Sequence, residues 1–325
     1  MLPSHLQLSS SKQPHQNQHH PHEFIPKHPL GLTGVICQSF TLQLSRTPRQ
    51  LQYTLYRPRH LLLGPPPLIG IAGGPGLPCQ YLSSLVHTIE DRAIVLYDHV
   101  GCGQSLYKGT NAYDRYEMML DLKELIDHLN CEEYHLLGHS FGGFLAYEYL
   151  LQQSTISPHK KCHSVVLVST PYDMAALREH VQQLKDKLDD DQPQTFFQQH
   201  ECRVVPLPLP LQQSLDSAGF STSITAKVLA KAHGVSDGDG DNADLPVPPR
   251  LPVSTPALLL QGQHDFVNNV ADWQDVFPDA EMVVLAGCAH YAFLENEGMF
   301  AAVVSSFLKR HEPPPKPLVL PKPLD

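Results

Sequence analysis

Ser140 is framed by two glycines in Gly138-His139-Ser140-Phe141-Gly142, between the apolar run Tyr134 to Leu137 and the helix-compatible run Phe144 to Leu151. A serine on so tight a strand-to-helix turn needs small residues two positions away on either side. The backbone crowds itself there, and the hydroxyl is pushed out of a strained conformation into solvent. The helix that follows aims free N–H groups and the positive end of its dipole at that hydroxyl, where a carbonyl under attack develops negative charge. These residue types in this order suit nucleophilic acyl transfer, with Ser140 as the attacking group.

A serine hydroxyl is a weak nucleophile at neutral pH, so it needs a base, and the base needs an acid to orient it. With the nucleophile on such a turn, the acid and then the base follow it along the chain. Asp265, in Gln261-Gly262-Gln263-His264-Asp265-Phe266, follows the apolar run Ala257 to Leu260. His290, in Cys288-Ala289-His290-Tyr291, follows the run Met282 to Leu285. Both stand just past a strand exit, where parallel sheets collect reactive groups. The chain has 20 histidines, and His290 stands out by chain order and strand exit together. Weaker rivals are His264 as base, Asp173 as acid and Cys288 as nucleophile; Cys288 reads better as a small packing residue.

A second oxyanion donor is expected from the loop Ala72-Gly73-Gly74-Pro75-Gly76, which leaves the strand Leu68 to Ile71. Glycines let the backbone approach a substrate carbonyl closely. The backbone N–H groups of Gly74 and Phe141 are the expected pair. This chemistry calls for no metal and no cofactor.

Positioning these residues takes an alternation of short apolar strands with amphipathic helices, an α/β sheet. Eight strand-like runs are expected, at Val35 to Leu44, Leu51 to Tyr56, Leu68 to Ala72, Ala93 to Tyr97, His135 to Leu137, Ser164 to Val168, Ala257 to Leu260 and Glu281 to Leu285. Helical spacing appears at Leu122, Leu125, Ile126 and Leu129, and at Phe300, Val303, Val304, Phe307 and Leu308, so the last helix should lie against the sheet. From 172 to 250 the alternation stops. Two helices, Met174 to Leu188 and Leu211 to Ala232, then an Asp/Gly/Pro-rich linker, read as a lid inserted between the core segments 33–171 and 251–311. The linker's DGDGDN run lacks the glutamate that closes an EF-hand loop. A His/Gln/Ser-rich head, 1–32, and a proline-rich tail, 312–325, read as unpacked ends.

Composition excludes several classes. With 23 Lys+Arg against 33 Asp+Glu, the formal charge is −10, no basis for holding nucleic acid or an anionic membrane. No apolar stretch approaches the roughly 18 residues of a membrane span, and the head lacks a signal's apolar segment. The seven cysteines are scattered and odd in number, which fits free thiols in a reducing, cytoplasmic setting.

The loop GGPG, the segment Asp98-His99-Val100-Gly101-Cys102-Gly103-Gln104-Ser105, the GHSFGG turn and the Cys288-Ala289-His290 segment occur together and in order. In this the chain resembles the proline iminopeptidase family of α/β-hydrolases, nearest its branch of tricorn-interacting aminopeptidases and amino-acid amide hydrolases. The lid stretch Phe196 to Arg203 is similar to one of that branch as well. The resemblance covers roughly residues 35 to 310. It implies an α/β-hydrolase fold with a mostly parallel eight-stranded sheet, a serine mechanism, a helical cap, and release of an N-terminal residue, often proline, from a small peptide or amide.

Three departures stand against it. The family's HGGPG opens here with Ala72. Phe266 follows the acid, where aminopeptidase members often carry a glutamate. The lid has no Asn-Gly-Pro-x-Glu segment. A charged substrate amine in a partly dry site needs a fixed carboxylate, for which Glu201 and Glu295 are the candidates, while Phe196, Phe197 and Phe266 would line a small apolar pocket. The expected substrate is accordingly a small peptide, amide or ester. An esterase or amidase with no amine requirement, and an inactive binding protein on the same scaffold, are the alternatives.

Overall fold

The computed structural model describes residues 34–59, 63–107, 113–188, 195–218, 250–314 and 316–317. The head, the DGDGDN linker and the stretch of the second lid helix past Ala218 lie outside the described residues.

The sheet has eight strands: β1 Val35–Gln43, β2 Gln50–Pro58, β3 Leu68–Ile71, β4 Ile94–Tyr97, β5 Glu133–His139, β6 Lys161–Val168, β7 Ala257–Gly262 and β8 Glu281–Leu285, in spatial order β1-β2-β4-β3-β5-β6-β7-β8. β1 and β2 form an antiparallel hairpin and β2 meets β4 antiparallel, whereas every later pairing is parallel. The central strands β3 and β4 are buried along their whole length, because helices cover both faces of the parallel part. Successive side chains alternate between the two cores: Leu136, Val165, Leu167 and Leu259 join one, and Leu137, Val166, Val168, Leu258 and Leu260 the other.

The longer helices are α1 Arg115–His128, α2 Phe141–Ile156, α3 Met174–Asp186, α4 Leu209–Asp216 and α5 Glu297–Arg310. α1 and α2 pack in the first core and α5 in the second, burying Phe300, Val304, Phe307 and Leu308 as their spacing predicts. Asp114 starts α1 by accepting from the Glu117 N–H at 3.0 Å, and Asn296 starts α5 through the Met299 N–H at 3.2 Å. No helix among the described residues is long and apolar enough to cross a membrane.

The lid excursion leaves at Tyr172 and returns at Arg250, and these two ends are fastened together. The Arg250 guanidinium donates to the Tyr172 carbonyl. It also lies 4.4 Å from the ring centre of Phe144 and 4.8 Å from those of Tyr172 and Trp273. In the described part of the lid, α3 and α4 flank one π turn, Phe197–Glu201. α4 docks on the 3-10 turn Cys79–Ser84 through Gln80 to Gln213 at 2.6 Å and the Tyr81 N–H to Ser214 Oγ at 3.0 Å.

The tail corrects one expectation. Its first residues are seated rather than unpacked: Glu312 pairs with the buried Arg92, and Lys316–Pro317 form a two-residue antiparallel ladder with Leu63–Gly64. Arg92, anchored also by Asp91, needs that second carboxylate to offset its burial.

Candidate active site

β5 runs into α2 through a turn in which Ser140 takes φ 53° and ψ −122°. A side chain disfavours this left-handed region, and the strain persists only because the surroundings enforce it. The glycines show how. A Cβ on Gly138 would lie 2.4 Å from the Gly143 Cα, and one on Gly142 would lie 2.2 Å from the Ile71 carbonyl oxygen. Strand, turn and helix therefore pack at backbone contact, and Ser140 emerges at the carboxyl end of the sheet.

Asp265 follows β7 and His290 follows β8, as their places in the sequence predict. The His290 Nδ1 donates to Asp265 Oδ1 at 2.9 Å, with the carboxylate fully buried and the imidazole nearly so. The same oxygen accepts the Val267 N–H at 3.0 Å. This bond leaves Nε2 of His290 for proton transfer. Ser140 and His290 line one cavity of about 410 Å³. Among the described residues no hydrogen bond joins the Ser140 hydroxyl to the His290 imidazole, and a general base is defined by its reach in the substrate complex.

Gly74, at φ 111°, lines the same cavity beside Pro75, Gly76 and Leu77. The N–H of Gly73 is already committed to the Tyr81 hydroxyl at 2.7 Å. The buried His99 donates its Nε2–H to the Ala72 carbonyl at 3.2 Å. Burial holds the His99 imidazole below its ordinary pKa. Asp98 braces the neighbourhood, with one oxygen accepting the Cys79 N–H and the other the Gln104 N–H, both at 2.8 Å.

The two carboxylate candidates separate clearly. Glu201 lines the cavity with Ser140 and His290. Burial pushes its carboxyl above the usual carboxylate range, with nearby His290 pulling it partly back and Asp265 adding to the rise. Glu295 does not line the cavity: its carboxylate accepts the Ala289 N–H at 3.0 Å and the Arg203 N–H at 3.3 Å, fixing the loop that carries His290. Phe266 also lines the cavity. Phe196 stands behind it at a ring distance of 6.1 Å, and the half-buried Phe197 packs against the second core.

None of the three rivals is among the described residues that line the cavity with Ser140 and His290. Asp173 caps α3, accepting from the Ala175 and Ala176 N–H groups at 2.7 and 3.1 Å. The backbone N–H of His264 donates to the Cys288 carbonyl, and Cys288 is buried with its thiol pushed up to about 11 by burial. His139, Leu215 and Tyr291 also line the cavity, and the sequence does not single them out as site residues. Of these only His139 carried a signal, its place inside the serine pentapeptide.

Residues 66–297 match the family described as alpha/beta hydrolase fold. The chain belongs to that family. It is also similar to the proline iminopeptidase of Lactobacillus delbrueckii subsp. lactis, 25% identical over 276 residues that cover 74% of this chain and 90% of that one. Among solved structures, the proline iminopeptidase of Mycobacterium smegmatis superposes with a TM-score of 0.68 at 25% identity, covering 84% of this chain and 98% of that one. VinJ superposes at 0.69 with 22% identity and the same coverages, a likeness of fold. This α/β hydrolase thus has proline iminopeptidases among its relatives, as its motifs imply.

Proposed function

We propose that this α/β hydrolase is a serine hydrolase that removes a small N-terminal residue, proline or similar, from a peptide or amide. The observation that carries the reading is the buried His290–Asp265 hydrogen bond opening onto the cavity that the strained Ser140 lines. Ser140 Oγ attacks the carbonyl carbon while His290 takes its proton. The resulting oxyanion is held by the N–H groups of Gly74 and Phe141. Its collapse expels the leaving amine, which receives the proton from His290, and leaves an acyl-enzyme. Water, deprotonated by His290, then releases the acid and regenerates Ser140.

The cavity walls favour a compact apolar acyl group, since Leu77, Leu215, Phe266 and Tyr291 line it. Glu201, the one carboxylate among the described residues that line the cavity, would receive a positively charged substrate amine. Similarity to proline iminopeptidases adds weight to that assignment.

An ester or amide substrate with no free amine is the second reading. What favours it is Phe266, an apolar ring over His290 where aminopeptidase members often keep a glutamate. Purified protein assayed on prolyl arylamide, on its N-blocked form and on short aryl esters separates the two. Cleavage confined to the free amine supports the aminopeptidase, and cleavage of esters alone removes it. Labelling by a fluorophosphonate that vanishes in Ser140→Ala supports the nucleophile, whereas an unlabelled wild type points to a binding protein.

A further inference from the structure

Three hydrogen bonds join the oxyanion loop to the loop of the base through the interior. The Gly73 N–H donates to the Tyr81 hydroxyl at 2.7 Å, and that oxygen lies 2.9 Å from His139 Nδ1. His139 Nε2 lies 3.0 Å from the backbone carbonyl oxygen of His290, which also accepts from Ser169 Oγ at 3.2 Å. Tyr81, His139 and His290 are all buried.

The donors and acceptors settle in one pattern. A carbonyl oxygen only accepts, so Nε2 of His139 carries the proton. Burial drives this imidazole well below the ordinary histidine pKa, helped by His290 nearby, so it is neutral and its Nδ1 is an acceptor. Tyr81 therefore donates to Nδ1 while accepting from Gly73. Every donor in the chain of bonds has its acceptor, and the His290 carbonyl accepts twice.

We infer that Tyr81 and His139 are positioning residues: a hydrogen-bonded brace that fixes the oxyanion loop against the His290 loop and reserves the Gly73 N–H, leaving the N–H of Gly74 for substrate. The brace stands where Ala72 offers no side chain of its own. It is tied to the lid as well, because the Tyr81 N–H donates to Ser214 of α4. His139 further lies 4.6 Å, ring to ring, from His290, so the imidazole that must move a proton rests against a neighbour held at both nitrogens. This inference rests on the serine-hydrolase reading above.

The test needs no knowledge of the natural substrate. Full-length protein is reacted with a fluorophosphonate, in which Ser140 Oγ displaces fluoride from phosphorus, and the limiting rate is separated from the reversible binding constant. Tyr81→Phe removes one oxygen from the brace. The limiting rate should fall about ten- to hundredfold, the scale on which small misplacements of reacting groups act. The binding constant should stay where it was, a split that general loosening of the fold would not give. An unchanged limiting rate in a folded Tyr81→Phe overturns the brace.

A second pair guards against a folding defect. His139→Gln keeps an amide donor for the His290 carbonyl, whereas His139→Leu has none. A faster limiting rate for Gln than for Leu, at equal melting temperatures, supports the inference, and equal rates overturn it. Wild-type protein that reacts with no fluorophosphonate overturns the nucleophile assignment itself, an outcome distinct from labelled wild type with indifferent variants.

Discussion

Phe266 lies over His290 with ring centres 4.3 Å apart and planes tilted by 33°. The residue after the proposed acid thus covers the proposed base with an apolar face. It shields the imidazole from water and, in the proposed mechanism, would meet it with a π surface as it becomes imidazolium in the transition state. Such contacts contribute about 0.5–2 kcal/mol. Phe266→Leu keeps the cavity apolar but removes the π face, so turnover of an aryl ester should fall about three- to tenfold. Steady-state kinetics on ester and fluorophosphonate labelling check this, and a variant as fast as wild type removes the role.

Asp265 and Asp173 were rival acids in the sequence, and the structure gives them different partners. Asp265→Asn leaves a side chain of the same shape but favours the wrong tautomer of His290, so turnover should drop by about 10⁴ with folding intact. Asp173→Ala should leave turnover untouched and remove the α3 cap, costing about 1 kcal/mol. In a domain of this size that is a melting temperature lower by about 2–4 °C. Kinetics and thermal melting on both variants read the contrast, and the reverse pattern would exchange the roles.

The sheet, and the places of Ser140, Asp265 and His290 at its strand ends, were legible because each follows from local pattern. Central parallel strands, buried on both faces, read as unbroken apolar runs such as Leu68 to Ile71 and Ile94 to Tyr97. Gly138 and Gly142 announce the turn they permit. Strand ends are less legible: β5 extends from Glu133 to His139, beyond the expected run His135 to Leu137, since polar Glu133 and His139 still satisfy the ladder. The lid was legible mainly as a break in the alternation. α3 forms nearly as expected, whereas α4 starts at Leu209, two residues early, just after Pro208 at its N-cap. Tyr81 was invisible because it sits on a 3-10 turn with no periodic signature. Its role exists only once His139, Gly73 and Ser214 converge on it from distant positions. Glu295 misled for the same reason, since nothing local shows which N–H groups will claim a carboxylate.

Glu201 sets a pH dependence with a definite sign. Burial raises its carboxyl above the usual range, and only the ionised form attracts a substrate cation. As pH falls through that raised value, KM for a free-amine substrate should climb, while KM for an amine-free ester stays level. Glu201→Gln removes the charge, so kcat/KM on prolyl arylamide should fall about ten- to hundredfold, the scale of a hydrogen bond to a charged group. The ester should be cleaved as before, and the acid-side rise in KM should disappear. Stability carries the opposite sign. A carboxyl raised by folding gives stability below its unfolded pKa that is lost as pH rises through the folded one. At neutral pH the Gln variant should therefore melt no lower than wild type. Equal loss on both substrates would show that Glu201 serves the fold rather than the amine.

Arg250 closes the base of the lid, and its replacement should act at a distance. Its guanidinium rests against Phe144, Tyr172 and Trp273, with Tyr147 at 5.5 Å, and donates to the Tyr172 carbonyl. The planar group satisfies stacking and hydrogen bonding at once, which the compact ammonium of lysine cannot do. Arg250→Lys keeps the charge and loses the stacking, so stability should fall by about 1–2 kcal/mol. Tyr172 lies next to Asp173, which caps the first lid helix, and Asn269 accepts the Tyr172 N–H at 2.9 Å while donating to the Asp173 carbonyl at 2.7 Å. Loosening this knot frees the lid root without touching Ser140, His290 or Asp265. KM should therefore rise while the limiting rate of fluorophosphonate labelling holds. A melting temperature and KM both equal to wild type would mean that the lid is held by its other contacts, chiefly α4 on the Cys79–Ser84 turn.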